Sequence, residues 1–381
     1  MATLREVVAV LDGLYDPAWA DDWDAVGTIV GDPDAEITSI LFAVDPVAEV
    51  VAEAIEIGAQ LIVTHHPLYL KGTTTVAAST PKGRVVHELI ANGIALHNCH
   101  TNADCAPLGV SESMALALSL TELRPLEVDV ASAVDKWVVF VPNDYADQVS
   151  AAMHAVGAGQ MGAYDQAQFR TLGKGSFRPL SGAMPAIGSV GEVEWVDETR
   201  IELVADPKLR DAVLAAMLDA HPYEEVAYDL WQLAAKPSDR GTGRIGRLAR
   251  PMTLAEFGEQ VKASLPQHEG ATRIAGDLDR VVETVALCGG SGDFLLPTAT
   301  AAGADVYVTS DLRHHVVSEH LQVTGSCSVI DVPHWAAEWT WLPVAAAAVG
   351  AALGDTVKTR VSTIVTDPWT RTLATGGTRE G

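Results

Sequence analysis

Four segments of the sequence share one form: a short, almost uniformly apolar run that ends directly in histidines or carboxylates. They are LIVTHH (61–66), IALHNCHTNAD (94–104), VYVTSDLRHH (306–315) and VIDVPHWAAE (329–338). Apolar strands without alternation are typical of parallel sheets that are covered on both faces. Because ligands bind outside the carboxyl ends of such strands, the pattern predicts an α/β fold with a polar site at one sheet edge.

Helices and short apolar strands alternate in the first third of the chain and again in its last third. This rhythm predicts a core of mostly parallel sheets covered by helices. Between the two parts, alternating strands and two helices predict two β-α-β units, and we expect an inserted ferredoxin-like α+β domain. We place the halves of the core at 1–129 and 239–368, the insert at 130–238 and a disordered tail at 369–381.

The insert and its return to the core carry two further predictions. Strands are expected near Gly188–Trp195 and at Arg200–Val204, after a run rich in glycine. Pro237, Gly241 and Gly243 are expected in a loop, because proline and glycine interrupt regular structure.

Charge and cysteine content limit the classes of partner. A formal charge of −25 opposes binding to phosphate backbones, so we expect no direct nucleic-acid partner. The longest apolar stretch, Trp341–Leu353, is shorter than the ~20 residues that cross a bilayer, and no membrane partner is expected. Four cysteines without CxxC spacing read as reduced thiols, which favours a cytoplasmic location.

Adjacent imidazoles, His65 and His66, stand where the first of these segments leaves its strand, and Pro67 stiffens the exit. Their side chains diverge, so the two rings are able to serve different ions. A histidine pair alone is more often a packing or surface feature. The metal-binding interpretation depends on the histidines and carboxylates at the other strand ends.

Carboxylates complete the candidate ligand set. Asp104 is the expected bridge, because one carboxylate can hold two cations about 3.5–4 Å apart; the alternative is a helix N-cap before the helix predicted at Ser111–Leu120. His334 and Glu338 are four residues apart and share one helix face. They form either a ligand pair or an ordinary surface pair.

Three histidines, one aspartate and one glutamate suit zinc, iron(II), manganese or cobalt, and residue type does not settle which. We expect two divalent ions per subunit. His97 and His100 are the candidate proton carriers. These two histidines, with Asp311 and His315, either orient the ligands or form structural hydrogen bonds.

Six motifs, in the expected order, resemble the Nif-three-like family, whose members are often named GTP cyclohydrolase 1 type 2 homologues. They are Asp22-Trp23-Asp24-Ala25-Val26-Gly27, His65-His66-Pro67, His100-Thr101-Asn102-Ala103-Asp104, Gly241-Thr242-Gly243-Arg244-Ile245-Gly246, Thr309-Ser310-Asp311, and His334 with Glu338. The resemblance covers nearly the whole core. Ala103, Ser310 and Pro333 depart from the usual pattern without removing a ligand, and Leu108-Gly109 replaces the usual Gly-Gly.

The resemblance implies a dinuclear site held by His65, His66, Asp104, His334 and Glu338. It also implies a toroidal homohexamer whose metal sites face an internal cavity, and an insert similar to the PII and CutA regulators. The run His221-Pro222-Tyr223-Glu224-Glu225 looks like the signature of that insert. The alternative for this run is a rigid turn.

Two functions are compatible with these residues. The first is a metal-dependent hydrolase acting on a nucleotide or another cyclic amide, phosphate or amidine compound. The second is a non-enzymatic metal-binding, sensing or adaptor protein regulated through the insert. An open coordination position beside an acid or base favours catalysis, whereas saturated ligation favours storage.

Overall fold

The computed structural model describes residues 2–130, 133–234 and 237–373. The chain divides into two compact units. A core unit consists of Met1–Asp129 with Asp239–Gly381, and an inserted unit consists of Val130–Ser238.

The first half of the core unit begins with a well-capped helix, because Thr3 and Glu6 form a reciprocal capping box. Its strands are β1 (Ala2–Thr3), β2 (Gly27–Val30), β3 (Glu36–Ile37), β4 (Ser39–Ala43), β5 (Leu61–Thr64), β6 (Ala95–Asn98) and β7 (Thr121–Val130). Its helices are α1 (Leu4–Leu14), α2 (Ala48–Ile57), α3 (Pro81–Ala91), α4 (Thr101–Cys105) and α5 (Val110–Ala117).

The inserted unit is a four-stranded antiparallel sheet with two helices. In chain order its elements are β8 (Asp135–Pro142), α6 (Ala146–Ala155), β9 (Gln168–Phe177), β10 (Glu194–Ala205), α7 (Arg210–Ala220) and β11 (Tyr228–Gln232). The strand order is β11-β8-β10-β9. This βαββαβ sequence of elements is the ferredoxin-like arrangement. A relationship to PII and CutA stays a prediction.

One strand of the insert lies elsewhere than the sequence pattern indicates. The segment Gly188–Trp195 is almost entirely loop, with β10 beginning at Glu194, and the second strand is β9. That strand is at the edge of the sheet and mostly exposed. Its residues therefore show no apolar alternation, and Gly173 and Gly175 hide it further.

The second half of the core unit returns with a long strand. Its strands are β12 (Pro237–Thr253), β13 (Arg273–Ala275), β14 (Val281–Ser291), β15 (Val306–Ser310), β16 (Ser328–Asp331) and β17 (Lys358–Val361). Its helices are α8 (Leu254–Ser264), α9 (Leu296–Ala301), α10 (His314–Leu321), α11 (His334–Trp339) and α12 (Trp341–Leu353). The predicted loop through Gly241 and Gly243 is wrong, because these glycines lie within β12.

Two larger sheets form the core unit, and both are mixed. One has the order β17-β4-β5-β6-β2, in which all pairs except β2 with β6 are parallel. The other has the order β13-β16-β15-β14-β12-β7. Among the strand pairs that the structure describes in this sheet, β14 with β15 and β15 with β16 are parallel, and the others are antiparallel. The α/β class is confirmed, although the parallel strands are confined to the middle of this second sheet.

A helical stretch from His334 to Leu353 has the length and mean hydropathy of a membrane-spanning helix, at 20 residues and 1.2, but half of it is buried in the protein. Trp341, Leu342, Ala345 and Val349 belong to the main hydrophobic core. We interpret the stretch as a core helix, because buried helices of this composition pass the same test.

Candidate metal centre

The carboxyl ends of parallel strands from both core sheets carry the candidate ligands. β5 is followed directly by His65 and His66, and β6 is followed by His100 and by helix α4, which contains Asp104. In the second sheet β16 leads through Pro333 into helix α11, which begins at His334 and contains Glu338. The first residue after β15 is Asp311.

Glu338 lies at the centre of this cluster. Its Oε1 atom is 2.7 Å from Nε2 of His334 and 3.4 Å from Nε2 of His65. Its Oε2 atom is 3.1 Å from Nε2 of His66. The side chain is only 4% exposed. One carboxylate thus meets the same ring nitrogen of all three predicted histidine ligands, a position that the sequence analysis expects for Asp104.

Asp104 approaches the cluster from the other sheet edge. Its Oδ1 atom is 3.6 Å from Nε2 of His65, and it is buried although the side chain as a whole is 24% exposed. All five predicted ligands are therefore brought together. The N-cap alternative is wrong, since Asp104 lies inside α4 rather than before a helix.

Three polar atoms of the cluster are buried without a hydrogen-bond partner: Oδ1 of Asp104, Nε2 of His334 and Oε2 of Glu338. The short contacts of His334 and Glu338 do not have hydrogen-bond directions. Buried polar groups in folded proteins are nearly always satisfied. A cation needs nitrogen and oxygen atoms that converge on one place without forming hydrogen bonds to one another. These residues therefore fit a metal site.

Each of the three histidines is held by its other ring nitrogen. Nδ1 of His66 is 2.7 Å from Asp45, and Nδ1 of His334 is 2.7 Å from Asp311. Nδ1 of His65 donates to the carbonyl of Cys99 at 3.0 Å. Such partners fix the tautomer that leaves Nε2 for a metal.

His100 also reaches the cluster. The nitrogen atoms of His65, His66 and His100 lie within 4.8 Å of one another, as do the donor atoms of His66, His334 and Glu338. Nδ1 of His100 is 2.8 Å from Asp24. The predicted proton carrier therefore lies beside the candidate ligands.

His97 is placed away from this chemistry. Its Nδ1 is 3.0 Å from the hydroxyl of Thr28 on the neighbouring strand β2. Burial alone lowers the pKa of His97 to about 4. The ring is neutral near pH 7, which suits structural hydrogen bonding rather than proton transfer.

His315 is exposed on α10 and its ring lies 5.1 Å from the ring of His314. No contact with the cluster is recorded for His315 among the described residues. Of the two orienting groups suggested after strand β15, Asp311 holds a candidate ligand, His334.

Two functional positions escape the sequence reasoning. Asp45 follows β4 and orients His66, and Asp24 accepts hydrogen bonds from His100 and Thr101. The signal for Asp45 was present in LFAVDP, a fifth apolar strand that runs into a carboxylate. Asp24 lies in an acidic loop, within one of the motifs that resemble the family, but nothing in that motif indicates a contact with His100.

The charges of the cluster shift the pKa values of its members. Burial lowers the pKa of His66 and His334, but Glu338, with Asp45 or Asp311, outweighs burial and raises them to about 10 and about 11. Burial raises the pKa of Glu338, but the three histidines lower it well below its usual range. Burial keeps the pKa of Asp104 raised. Without a metal, the raised pKa values keep His66 and His334 protonated, so protons supply the positive charge that a metal ion would supply.

One side of the cluster is open. His65 is 1% exposed, whereas His334 is 31% exposed. A cavity of about 730 Å³ is lined by His66 and His334, together with Arg273, Trp369 and Arg371. Trp369–Leu373, predicted as the start of a disordered tail, thus include residues at this cavity. The rest of that prediction, 374–381, lies outside the described residues.

Arg244 explains the glycine-rich motif of β12. It is 1% exposed and donates to the carbonyls of Gly241 and Gly243 at 2.7 and 2.9 Å. It also donates to the carbonyls of Cys105 and Ala106, which directly follow Asp104. The motif therefore positions the end of α4.

The loop after α4 shows the effect of the Leu108-Gly109 departure. Leu108 has φ 53°, in the left-handed region that favours glycine. A side chain at Gly109 would place its Cβ 1.9 Å from the carbonyl oxygen of Ala103. Only the second glycine of the usual pair is sterically required, and Leu108 holds a strained conformation.

Comparison with known proteins identifies the family of this chain. A family model described as Duf34/NIF3 (NGG1p interacting factor 3) matches residues 2–368. A Mycobacterium tuberculosis protein named GTP cyclohydrolase 1 type 2 homolog is 46% identical over 374 residues, covering 98% of each chain. A Bacillus subtilis protein of the same name is 37% identical over 332 residues, which is 87% of this chain and 88% of that protein.

Solved structures also match nearly the whole length of this chain. A Bacillus cereus protein described as related to NIF3 is 34% identical, with a TM-score of 0.69 over 97% of this chain and 98% of that one. A Staphylococcus aureus structure is 27% identical, with a TM-score of 0.78 over the same shares.

Proposed function

This chain belongs to the Duf34/NIF3 family, and from the geometry of its histidine and carboxylate cluster we propose that it is a hydrolase dependent on two divalent metal ions. The position of Glu338 carries the proposal. One of its oxygens meets His65 and His334, and the other meets His66. A carboxylate whose two oxygens face different donors is suited to bridge two cations.

His65, His66, Asp104, His334 and Glu338 would hold the ions. Nitrogen and carboxylate donors without thiolate suit zinc, iron(II), manganese or cobalt. When bound, such ions lower the pKa of a water and polarise the bond to be cut. The carboxylates of Asp45 and Asp311 keep Nε2 of His66 and His334 directed inward.

His100 is the residue we assign to proton transfer. Asp24 holds its Nδ1, which leaves Nε2 free to give or take a proton. Burial raises the pKa of Asp24, but hydrogen bonds from His100 and Thr101 lower it overall, so this carboxylate stays charged. The cavity beside His66 and His334 gives a substrate access to the open side of the cluster.

Hydrolysis of a panel of nucleotides, cyclic amides and phosphate esters tests the reaction. We expect turnover of at least one class by metal-loaded protein, and its loss after chelation. His100→Asn should lower kcat by about 100-fold while leaving the bound metal, because general acid–base catalysis contributes roughly this factor. Metal-loaded protein that turns over no member of the panel would favour the non-enzymatic metal-binding alternative.

Metal affinity should depend on pH. Because the pKa values of His66 and His334 are raised to about 10 and about 11 without metal, these rings carry protons near neutrality that a metal must displace. Affinity should rise about tenfold per pH unit for each proton released. Calorimetric titration in buffers of different ionisation enthalpy counts those protons.

The same pKa shifts determine whether the stability of the metal-free protein rises or falls with pH. A raised pKa stabilises the fold fully below the ordinary value of 6.5, and this contribution is lost as the pH rises through about 10. Metal-free protein should therefore lose stability between pH 7 and 10. A metal affinity that is flat over this range, with no proton release, would contradict the assigned protonation.

A further inference from the structure

The inserted unit contains a cavity of about 730 Å³ on the face of its sheet that the helices do not cover. Val139 and Ile201 pack with residues of α6 and α7 in the core of this unit. Their strand neighbours Phe140 and Arg200 are paired in register, point to the opposite face and line the cavity. The volume lies within the roughly 300–1,000 Å³ of small-molecule sites.

The run His221-Pro222-Tyr223-Glu224-Glu225 builds one wall of this cavity. Nδ1 of His221 accepts from the backbone of Tyr223 at 3.1 Å, so Nε2 carries the proton and donates to the carbonyl of Phe140 at 3.0 Å. Burial lowers the pKa of His221, which keeps this neutral tautomer. The turn is rigid, as one reading of the sequence expects, and it also fixes the ring of Tyr223 at the cavity.

A loop that is bonded to Glu224 of this run closes a further side of the cavity. Glu224 accepts from the backbone nitrogen of Met184 at 3.1 Å, and the nitrogen of Gly191 donates to the carbonyl of Pro179 at 2.8 Å. Leu180, Pro185 and Ile187 of this loop line the cavity with Phe177. The walls are therefore mainly apolar and aromatic.

Glu198 is the polar group on the floor. Its Oε1 accepts from the hydroxyl of Tyr223 at 3.1 Å, while Oε2 has no partner among the described residues. A Cβ at Gly175 would lie 2.1 Å from Oε2, so the glycine leaves room for this oxygen. A carboxylate oxygen only accepts hydrogen bonds, and its complement is a charged or neutral N–H donor.

Two of the cations in the lining already have partners. Lys174 pairs with Asp197 at 3.5 Å. Arg200 pairs with Glu202 at 3.1 Å, and its guanidinium lies over the ring of Phe140, 5.9 Å from the ring centroid. Arg178 lines the cavity where the covering loop begins. The floor beside Tyr223 thus presents the negative charge of Glu198.

We propose that this cavity binds a small aromatic amine, with its ring against Phe177 and Tyr223 and its protonated nitrogen at Oε2 of Glu198. Aromatic pairs and a charge-assisted hydrogen bond supply the affinity. The lining residues all belong to the inserted unit, so the proposal gives this unit a ligand of its own.

The test is calorimetric titration of the full-length protein with tryptamine and with indole-3-acetate, which share a ring but carry opposite charges. Tryptamine should bind and indole-3-acetate should not. Glu198→Gln keeps the size and the acceptor for Tyr223, and it should weaken tryptamine binding by about tenfold or more. Asp211→Asn, an equal charge change at an exposed position of α7, should leave binding unchanged.

A second variant tests the position by filling it. A Cβ at Gly173 meets nothing within 4 Å, and Gly173 lines the cavity, so Gly173→Leu should fold and should abolish tryptamine binding. Thermal melting confirms that both variants are folded. The proposal is overturned if neither probe binds, if indole-3-acetate binds as tightly as tryptamine, or if Glu198→Gln binds tryptamine like the parent.

Discussion

Glu338→Gln should remove most of the metal bound by this protein. We expect close to two equivalents per chain in the parent and a loss of affinity greater than about 100-fold in the variant, since changes to supporting groups alone cost 10–100-fold. Glu338 is the residue whose oxygens reach His65, His66 and His334 together. Glutamine keeps the volume but offers one neutral oxygen in place of a charged pair.

Metal analysis of freshly purified protein measures this effect, with competition against a chelator to obtain the affinity. Glu319→Gln is the matched control, because Glu319 is exposed on the nearby helix α10. Asp104→Ala should give an intermediate result with clearly fewer than two equivalents, because among the described residues Asp104 approaches one of the histidines, at 3.6 Å, whereas Glu338 approaches three. Parent-like metal content in Glu338→Gln would remove the basis of the proposed centre.

Arg244→Met should destabilise the protein by about 3–5 kcal/mol, because losing the buried guanidinium leaves several buried carbonyl acceptors unsatisfied and removes the partner of the partly exposed Glu112. Arg244 holds Glu112 and four backbone carbonyls inside the core unit. Methionine fills the space but satisfies none of these acceptors. The melting temperature should fall by on the order of 10 °C.

Arg247→Met supplies the comparison on the same strand. Arg247 is about half exposed and pairs with Glu283, also partly exposed, so the change should cost roughly 0–1 kcal/mol. Scanning calorimetry of both variants measures the difference. Because Arg244 also holds the carbonyls after Asp104, its variant should bind metal more weakly, whereas Arg247→Met should not. Equal melting temperatures for the two variants would contradict the structural role of Arg244.

The candidate ligands were predictable because strand ends carry a strong local signal. Apolar runs ending at His65 or before Asp104 are legible in the sequence, and a spacing of four residues places His334 and Glu338 on one helical face. The helices α1 and α8 begin at capping boxes that the sequence also carries. Helical periodicity and capping depend on residues a few positions apart, so they can be recognised in a single sequence.

Asp311 was predicted as an orienting group, but the edge strand β9 and the orienting roles of Asp24 and Asp45 were not. β9 is exposed and contains two glycines, so it lacks the alternation that reveals a half-buried strand. The roles of Asp24 and Asp45 depend on His100 and His66, which are 76 and 21 residues away. An apolar strand leads into Asp45, but the sequence does not show which histidine either carboxylate contacts.

The sequence by itself determined the α/β class and which five side chains to expect at the candidate metal centre. The tertiary structure alone decided that Glu338 rather than Asp104 is central, that His97 is neutral and apart, and that Arg244 secures the end of α4. These outcomes follow from the packing of two sheets, because distances between side chains on different strands are set by long-range contacts. No local pattern in the chain encodes those distances.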